Sequence, residues 1–260
     1  MICSDPLVDF LKAQGYCAVR VPRADLRPLQ VLAMQDRALE RLGELDEVLA
    51  AGDVPLPSLE RAVPLPTLSG RRTGALSAGV GLSLLDGAFK AMGVQPPSLS
   101  ASLAPGMTLT LAFDGVTEDR VDVALLDRYL AAADVRPGTP SVAALLDSDD
   151  VYVIIAVLRC RRLLVTAHGA DKHAASLSVP HVQGVVDASA ALTVSREDDT
   201  TLAYEGRSPL AFGFKAVRLM YEDGRYAALK RLAAGRVMRG GPAESHAAPL
   251  EVTGPFARLR

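Results

Sequence analysis

The chain has 260 residues, of which 49% are hydrophobic, and its 28 basic and 30 acidic residues give a net charge of −2. A chain of this length can bury one substantial core, and its charge balance argues against a dedicated nucleic-acid binder. The longest apolar run, VYVIIAVL at 151–158, is too short to cross a bilayer as a helix, although strands can also cross membranes.

The first element is predicted to be a helix at about 6–14. Ser4 or Asp5 can cap its N-terminus, Pro6 suits the first helical position, and Gly15 suits the end. Apolar residues recur at a spacing of three and four within it, which gives the helix one apolar face.

The next residues predict strands and an irregular stretch. YCAVRVP reads as a strand that ends at Pro22, and RPLQVLAM at 27–34 reads as another. The segment 36–52 has helical propensity, with a strand as the alternative. Four prolines between 54 and 73 predict an extended loop or an edge strand.

Two groups of segments, at about 75–113 and 151–196, alternate an apolar face with a face of Ser, Thr, Gly and Ala. An antiparallel sheet with one face on the core explains any single segment. Paired segments of about ten alternating residues are also typical of transmembrane β-hairpins, so both interpretations stay open. The candidate membrane-facing residues are Leu76, Ala78, Val80, Leu82, Leu84, Met107, Leu109, Leu111, Ala188, Ala190, Leu192 and Val194.

The remaining predicted elements are two helices, a short strand, a late hairpin and a tail. Helices are predicted at 84–94 and 123–135, and a short strand at 175–179. Asp223–Gly224 predicts a hairpin turn between two late strands. Beyond a glycine-rich boundary, the tail carries spaced apolar residues and is predicted to dock on the rest of the chain.

Cysteine usage indicates a chain that is made and kept in a reducing cytoplasm. The three cysteines are irregularly spaced, and no secretory segment is recognisable. Cys17 and Cys160 lie in strand patterns and are interpreted as small buried residues. Cys3 precedes the first helix near a chain end, where a thiol is accessible to an acyl donor. One acyl chain binds a membrane only marginally, so it would assist another insertion device.

No motif predicts catalysis or a metal. His168 and His173 are five residues apart, which matches no familiar metal spacing, and there is no GxSxG elbow. GVGLSLLDG lacks the third glycine and the GK[ST] of a phosphate loop, so its alternation explains its glycines better.

The chain resembles the bacterial gasdermins in an ordered set of segments. These are MICSDPLVDFLKAQGYCAVRVPRADLRPLQVL, LPTLSGRRTGALSAGVGLSLL, DVYVIIAVLRCRRLLV and LAFGFKAVRLMYEDGRYAALK. The resemblance implies an α+β fold, with a mixed or antiparallel central sheet, peripheral helices and a short C-terminal inhibitory peptide. It also implies a pore-forming protein and not an enzyme, with self-acylation of Cys3 as the possible exception.

The resemblance further implies an activation scheme. A caspase-like or related protease removes the C-terminal peptide, and the cytoplasmic monomer then becomes a homo-oligomeric ring that inserts hairpins into inner-membrane lipid and kills the cell in anti-phage defence. Cys3 matches the family's palmitoylated cysteine, and no other cofactor, metal or nucleic acid is expected. The predicted division is a pore-forming body at 1–238 and an autoinhibitory peptide at 239–260.

The cleavage is predicted within RVMRGG. Arg236, Met238 and Arg239 suit proteases that prefer a basic or long side chain before the cleaved bond, and glycines flank the segment. The residues of this cleavage region are Arg236, Val237, Met238, Arg239, Gly240 and Gly241. The predicted inhibitory contacts are Leu250, Val252, Phe256 and Leu259. The competing hypotheses are a soluble interaction module regulated by its tail, without membrane insertion, and an enzyme with an unrecognised site.

Overall fold

The computed structural model describes residues 6–35, 38–73, 75–77, 108–135, 144–146, 150–169, 192–196, 201–222, 225–231, 237–239, 250–253 and 256–259. The helices used below are α1 (Pro6–Ala13), α2 (Leu45–Val48) and α3 (Val123–Ala131). The strands in these ranges are β1 (Cys17–Arg23), β2 (Gln30–Gln35), β3 (Ala38–Glu44), β4 (Leu49–Ala50), β5 (Leu59–Pro64), β6 (Leu76–Ser77), β7 (Thr108–Asp114), β8 (Thr117–Val121), β9 (Asp134–Val135), β10 (Val151–His168), β11 (Leu192–Arg196), β12 (Thr201–Glu222), β13 (Arg225–Arg231), β14 (Val237–Arg239), β15 (Leu250–Thr253) and β16 (Phe256–Leu259).

Fourteen of these strands form one sheet, whose order is β11-β12-β1-β14-β16-β15-β3-β2-β10-β7-β6. Outside this order, β13 pairs with β12, β8 pairs with β10 and β5, and β12 also pairs directly with β10. The pairs β1–β14 and β14–β16 are parallel, and the other pairs are antiparallel. A mostly antiparallel sheet with a few short helices confirms the predicted α+β class.

The core is centred on β10, whose first half is buried on both faces. Val151, Val153 and Ile155 belong to a cluster that includes residues of α2 and α3. Tyr152 and Ile154 belong to a second cluster, which includes residues of β1 and β12. Because both faces are covered, this half of the strand needs no polar alternation, which explains the uninterrupted apolar run at 151–158.

The first helix ends at a glycine, as predicted. Gly15 has a φ of +78°, and its N–H donates to the carbonyl of Lys12 at 2.9 Å. The N–H of Tyr16 donates to the carbonyl of Leu11, also at 2.9 Å, and both side chains are buried. These two bonds form a Schellman motif, in which the residue after the helix adopts the left-handed conformation that glycine tolerates.

The segment 36–52 contains both of the predicted structures. β3 pairs with β2, and a single helical turn, α2, follows it. Gly43 has a φ of +152° and lies where the register between the two strands shifts, as at a bulge. Pairing with a distant strand has therefore overridden helical propensity in the first half of this segment.

Several predicted boundaries shift. β1 continues past Pro22 to Arg23, although its pairing with β12 is irregular there. The strand predicted at 27–34 is β2, and the helix predicted at 123–135 ends at Ala131, because β9 follows it. The proline-rich stretch contains β5, which pairs with β8 alone among the described strands, so its interpretation as an edge is confirmed.

The late hairpin is confirmed by the antiparallel pairing of β12 with β13, from Val217 with Arg231 to Glu222 with Arg225. Its predicted turn residues, Asp223–Gly224, lie outside the described residues, as do the helix predicted at 84–94 and the strand predicted at 175–179.

Candidate functional site

The two alternating groups of the sequence lie side by side in the sheet. Their members, with the first residues of β12, form what we call the outer strip: β6, β7, Arg162–His168 of β10, Thr201–Glu205 of β12, and β11. The order across the strip is β6-β7-β10-β12-β11, and every neighbouring pair is antiparallel. Two segments that are far apart in sequence thus become one set of consecutive antiparallel strands.

The apolar face of the outer strip is buried where the structure describes its side chains. Leu109 and Leu111 of β7 are 1% and 0% exposed, and Val165 and Ala167 of β10 are equally buried. Leu76 lies in β6, and Leu192 and Val194 lie in β11. The remaining candidate membrane-facing residues lie outside the described residues: Ala78, Val80, Leu82, Leu84, Met107, Ala188 and Ala190.

Aromatic rings cover one end of this apolar face. The ring of Phe113, in β7, stacks on Phe212 of β12, with 4.1 Å between centroids and 6° between planes. Its other neighbour is Phe10 of α1, at 6.4 Å and 24°. Phe113 therefore joins the outer strip to both α1 and the rest of the sheet.

The sheet is irregular at one level, along what we call the break line. β7 and β8 pair with the same strand, β10, and are separated from each other by Gly115 and Val116. In β10, the residues at this level are Cys160 and Arg161. In β12, residues 206–209 lie between Glu205, which pairs with Arg162, and Leu210, which pairs with Cys160. The break line separates the outer strip from the rest of the sheet, which we call the body.

A buried ion pair lies on the body side of the break line. Arg159 Nε donates to Asp119 Oδ2 at 2.8 Å, and each side chain is 12% exposed. The same guanidinium donates to the carbonyls of Ala24 and Leu26 in the loop between β1 and β2. The N–H of Ala62, which has a φ of +53°, donates to Asp119 Oδ1 at 2.8 Å. Together these contacts join β5, β8, β10 and the β1–β2 loop.

The neighbouring carboxylate, Glu118, joins α1 to the sheet. It is 5% exposed as a residue and accepts a short hydrogen bond from the hydroxyl of Tyr16, which directly follows Gly15. Lys215 Nζ lies 4.0 Å from Glu118 Oε1 and 3.8 Å from the centroid of the Tyr16 ring. Burial, followed by the bond to Glu118, raises the pKa of Tyr16 above its usual value, which favours the protonated hydroxyl that donates this bond.

The described tail strands lie between the edges of β1 and β3. β14 pairs with β1 at Ala18 and Val19, β16 pairs with β14, and β15 joins β16 to β3. Of the predicted cleavage region, Val237, Met238 and Arg239 form β14, whereas Arg236, Gly240 and Gly241 lie outside the described residues. The predicted inhibitory residues occupy two strands: Leu250 and Val252 lie in β15, and Phe256 and Leu259 lie in β16.

The cysteines differ in their surroundings. Cys17 is 2% exposed, as its interpretation as a small buried residue requires, and Cys160 is half-buried. Cys3 lies outside the described residues. Within the described ranges, no group of three or more His, Cys, Asp or Glu side chains could hold a metal ion. The helices of these ranges include none that is long and apolar enough to cross a membrane.

Sequence reasoning missed the polar contacts beside the break line. Glu118 and Asp119 are adjacent acids inside a strand, and Arg159 directly follows the apolar run of β10. A charge at the end of an apolar run that is buried on both faces needs a partner, and that was the signal available in the sequence. Its partner, 40 residues away in the chain, could be found only from the fold.

The family model and the relatives that match this chain are bacterial gasdermins. The model of the Bacterial Gasdermin Family matches residues 19–225. A gasdermin bGSDM from a Desulfuromonadales bacterium is 39% identical over 100% of this chain and 99% of its own length. One from Lysobacter enzymogenes is 37% identical over 91% of this chain and 88% of its own length.

Among solved structures, a bacterial gasdermin from Bradyrhizobium tropiciagri has a TM-score of 0.63 and 20% identity. The match covers 89% of this chain and 93% of that one, which supports the same fold. With a family model that spans most of the chain and a full-length relative above 30% identity, the chain belongs to the bacterial gasdermin family.

Proposed function

We propose that the chain is an autoinhibited pore-forming protein whose outer strip supplies membrane-inserting strands. The observation that carries the proposal is the consecutive antiparallel arrangement of β6, β7, β10 and β12, with an apolar face that is buried at rest. Closed antiparallel sheets satisfy every backbone hydrogen bond in lipid, whereas a single open strip does not. A ring of many copies is therefore the inserted form.

The small polar residues that alternate with the apolar ones would face a water-filled lumen. In β7 these are Thr108 and Thr110, which are half-buried in the resting state, beside the fully buried Leu109 and Leu111. Apolar residues on one face and small polar residues on the other are what a strand between lipid and water requires.

The tail is proposed to inhibit the body by occupying the sheet between β1 and β3. β15 and β16 pair with β3 and β14, so their removal would leave strand edges open on both sides. Unpaired edges are sites for pairing with another chain, which supports assembly after the tail is removed. We propose that a caspase-like or related protease cuts in the region 236–241.

The cellular role proposed for the chain follows from the same scheme. The intact protein is a cytoplasmic monomer, and the cut body inserts into the inner membrane, which kills the cell and limits phage spread. Membrane lipid and the protease are its partners, and nucleic acid is not.

Dye release from liposomes tests the proposed function. Protein that is cut at an engineered protease site within 236–241 should release dye, and the uncut protein should release little. A matched control carries the same engineered site and is mixed with inactive protease. Equal dye release from cut and uncut protein would contradict the proposal. Crosslinking in lipid that yields no large oligomer would favour the soluble interaction module instead.

Acylation of Cys3 is a separate proposal, supported by the contact between α1 and the outer strip through Phe10 and Phe113. An acyl chain just before α1 would lie near the apolar elements that must separate on insertion. The intact mass of protein purified from its bacterial host should exceed the sequence mass by one palmitoyl group. Cys3→Ala should remove the increment, and the control Cys17→Ala should keep it. An unmodified wild-type mass would contradict the proposal.

A further inference from the structure

We propose that the break line is the hinge at which the outer strip changes direction, and that Gly115 holds it in the resting angle. This inference rests on the proposed function, since the change of direction accompanies insertion. On insertion, β7 and β8 become one straight strand along β10.

The pairing of β10 supports a straight inserted form. Arg162 pairs with Asp114 on one side of the break line, and Arg159 pairs with Thr117 on the other. Two residues separate the pairs on each strand, so no residue is inserted in either. The backbone bends at Gly115, between β7 and β8, and we call this bend the kink. Straightening the kink needs no change of register, which would otherwise move every side chain to the opposite face.

The kink itself depends on one residue. Gly115 has a φ of +61°, a left-handed value that residues with a Cβ adopt at a cost. Its N–H donates to Ser69 Oγ and to Asp114 Oδ1, both at 2.9 Å. Ser69 Oγ in turn donates to Asp114 Oδ1 at 3.0 Å, so the 65–73 loop contacts the kink directly. These bonds stabilise the bent form and would be lost in a straight strand.

The neighbouring strand supplies spare length. Residues 206–209 of β12 lie opposite the single residue Arg161 of β10. If the outer strip rotates about the break line, the strand on one side of the sheet must span a longer distance between the strip and the body. Gly206 pairs with Leu192 of β11, so residues 207–209 are the ones that can take up this change without breaking the pairs on either side.

The stack of Phe113 on Phe212 crosses the break line. Phe113 belongs to the outer strip, and Phe212 lies on the body side of residues 206–209. Two nearly parallel rings 4.1 Å apart cannot stay in contact if the strip rotates away from the body. The stack therefore holds the outer strip against the body in the resting state, and the ring contact is lost when the strip moves.

Substitution of Gly115 by alanine tests the hinge. No atom lies within 4 Å of a Cβ built at this position, so the substitution disfavours the left-handed backbone without a clash. The bent form is penalised and the straight form is not, so dye release after cutting should start about tenfold sooner. Gly52→Ala is the matched control, because Gly52 has a φ of +56° and equally open surroundings and lies in the loop after β4, outside the break line.

The two variants should lose similar thermal stability, and only Gly115→Ala should change the rate of release. Equal rates in the two cut variants, or slower release by Gly115→Ala, would overturn the hinge. If cut wild-type protein releases no dye, the proposed function fails as a whole, and the two failures are thereby distinguished.

A distance measurement on the wild-type background covers the case in which Gly115→Ala does not fold. Spin labels on unnatural amino acids at Thr108 and Arg120 flank the kink. A straight strand separates positions twelve residues apart by roughly 40 Å. The labels should move apart toward this value when cut protein forms rings in lipid, and an unchanged distance would exclude straightening.

Discussion

Arg159→Met is expected to lower the free energy of unfolding by about 3–5 kcal/mol. The substitution leaves the carboxylate of Asp119 buried without its charged partner, and it removes the donors to the carbonyls of Ala24 and Leu26. A buried charge that loses its partner is far more costly than a lost surface pair. Denaturation in urea, followed by circular dichroism, measures the loss.

The control for this prediction is the exposed pair of Arg120 and Glu60. Arg120 Nη2 lies 2.7 Å from Glu60 Oε2, but the side chains are 45% and 56% exposed. Glu60→Gln removes this exposed pair but leaves Arg120 Nη1 3.6 Å from the buried carboxylate of Glu118, so it should cost far less than Arg159→Met. Removing both partners of the buried pair, with Arg159→Met and Asp119→Leu, should recover part of the stability. Equal losses for Arg159→Met and Glu60→Gln would contradict this account.

Phe113→Ala is expected to cost about 3–5 kcal/mol in the resting state. The side chain is 2% exposed and fills the space between Phe10 and Phe212, so its removal leaves a cavity and ends both ring contacts. Chemical denaturation of the uncut protein measures the effect. Because the stack crosses the break line, uncut Phe113→Ala should also release more dye from liposomes than uncut wild-type protein.

The comparison for Phe113→Ala is Phe10→Ala. Phe10 is only partly buried and lies 6.4 Å from the ring of Phe113, so its truncation should cost clearly less. A larger loss for Phe10→Ala than for Phe113→Ala would show that α1, and not the stack across the break line, dominates this part of the core.

The features predicted correctly from the sequence depend on local patterns. Alternation identified β7 and β11, β-branched residues identified β10, and Gly15 marked the end of α1. The segment 36–52 was ambiguous, because its outcome depends on pairing with β2 and not on its own propensity.

The features that could not be predicted depend on contacts between distant residues. The break line is defined only when β7, β8 and β12 are aligned on β10, since residues 206–209 look like an ordinary loop in the sequence. The partnership of Arg159 with Asp119, and of Tyr16 with Glu118 across 102 residues, likewise requires the fold. The sequence does not distinguish Gly115 from the other glycines among its 21, because its importance depends on its positive φ and on its place between β7 and β8.

The position of the tail strands sets a condition on biosynthesis. β15 and β16 complete the sheet between β1 and β3, yet in chain order they follow all the other described strands. At 5–20 residues per second, the stretch from β14 to β16 takes roughly one to five seconds to synthesise. During that interval the nascent chain carries the same strands as the body that the proposed cleavage would produce. Assembly of the sheet around β10, which joins segments far apart in the chain, must therefore be slow relative to completion of the tail.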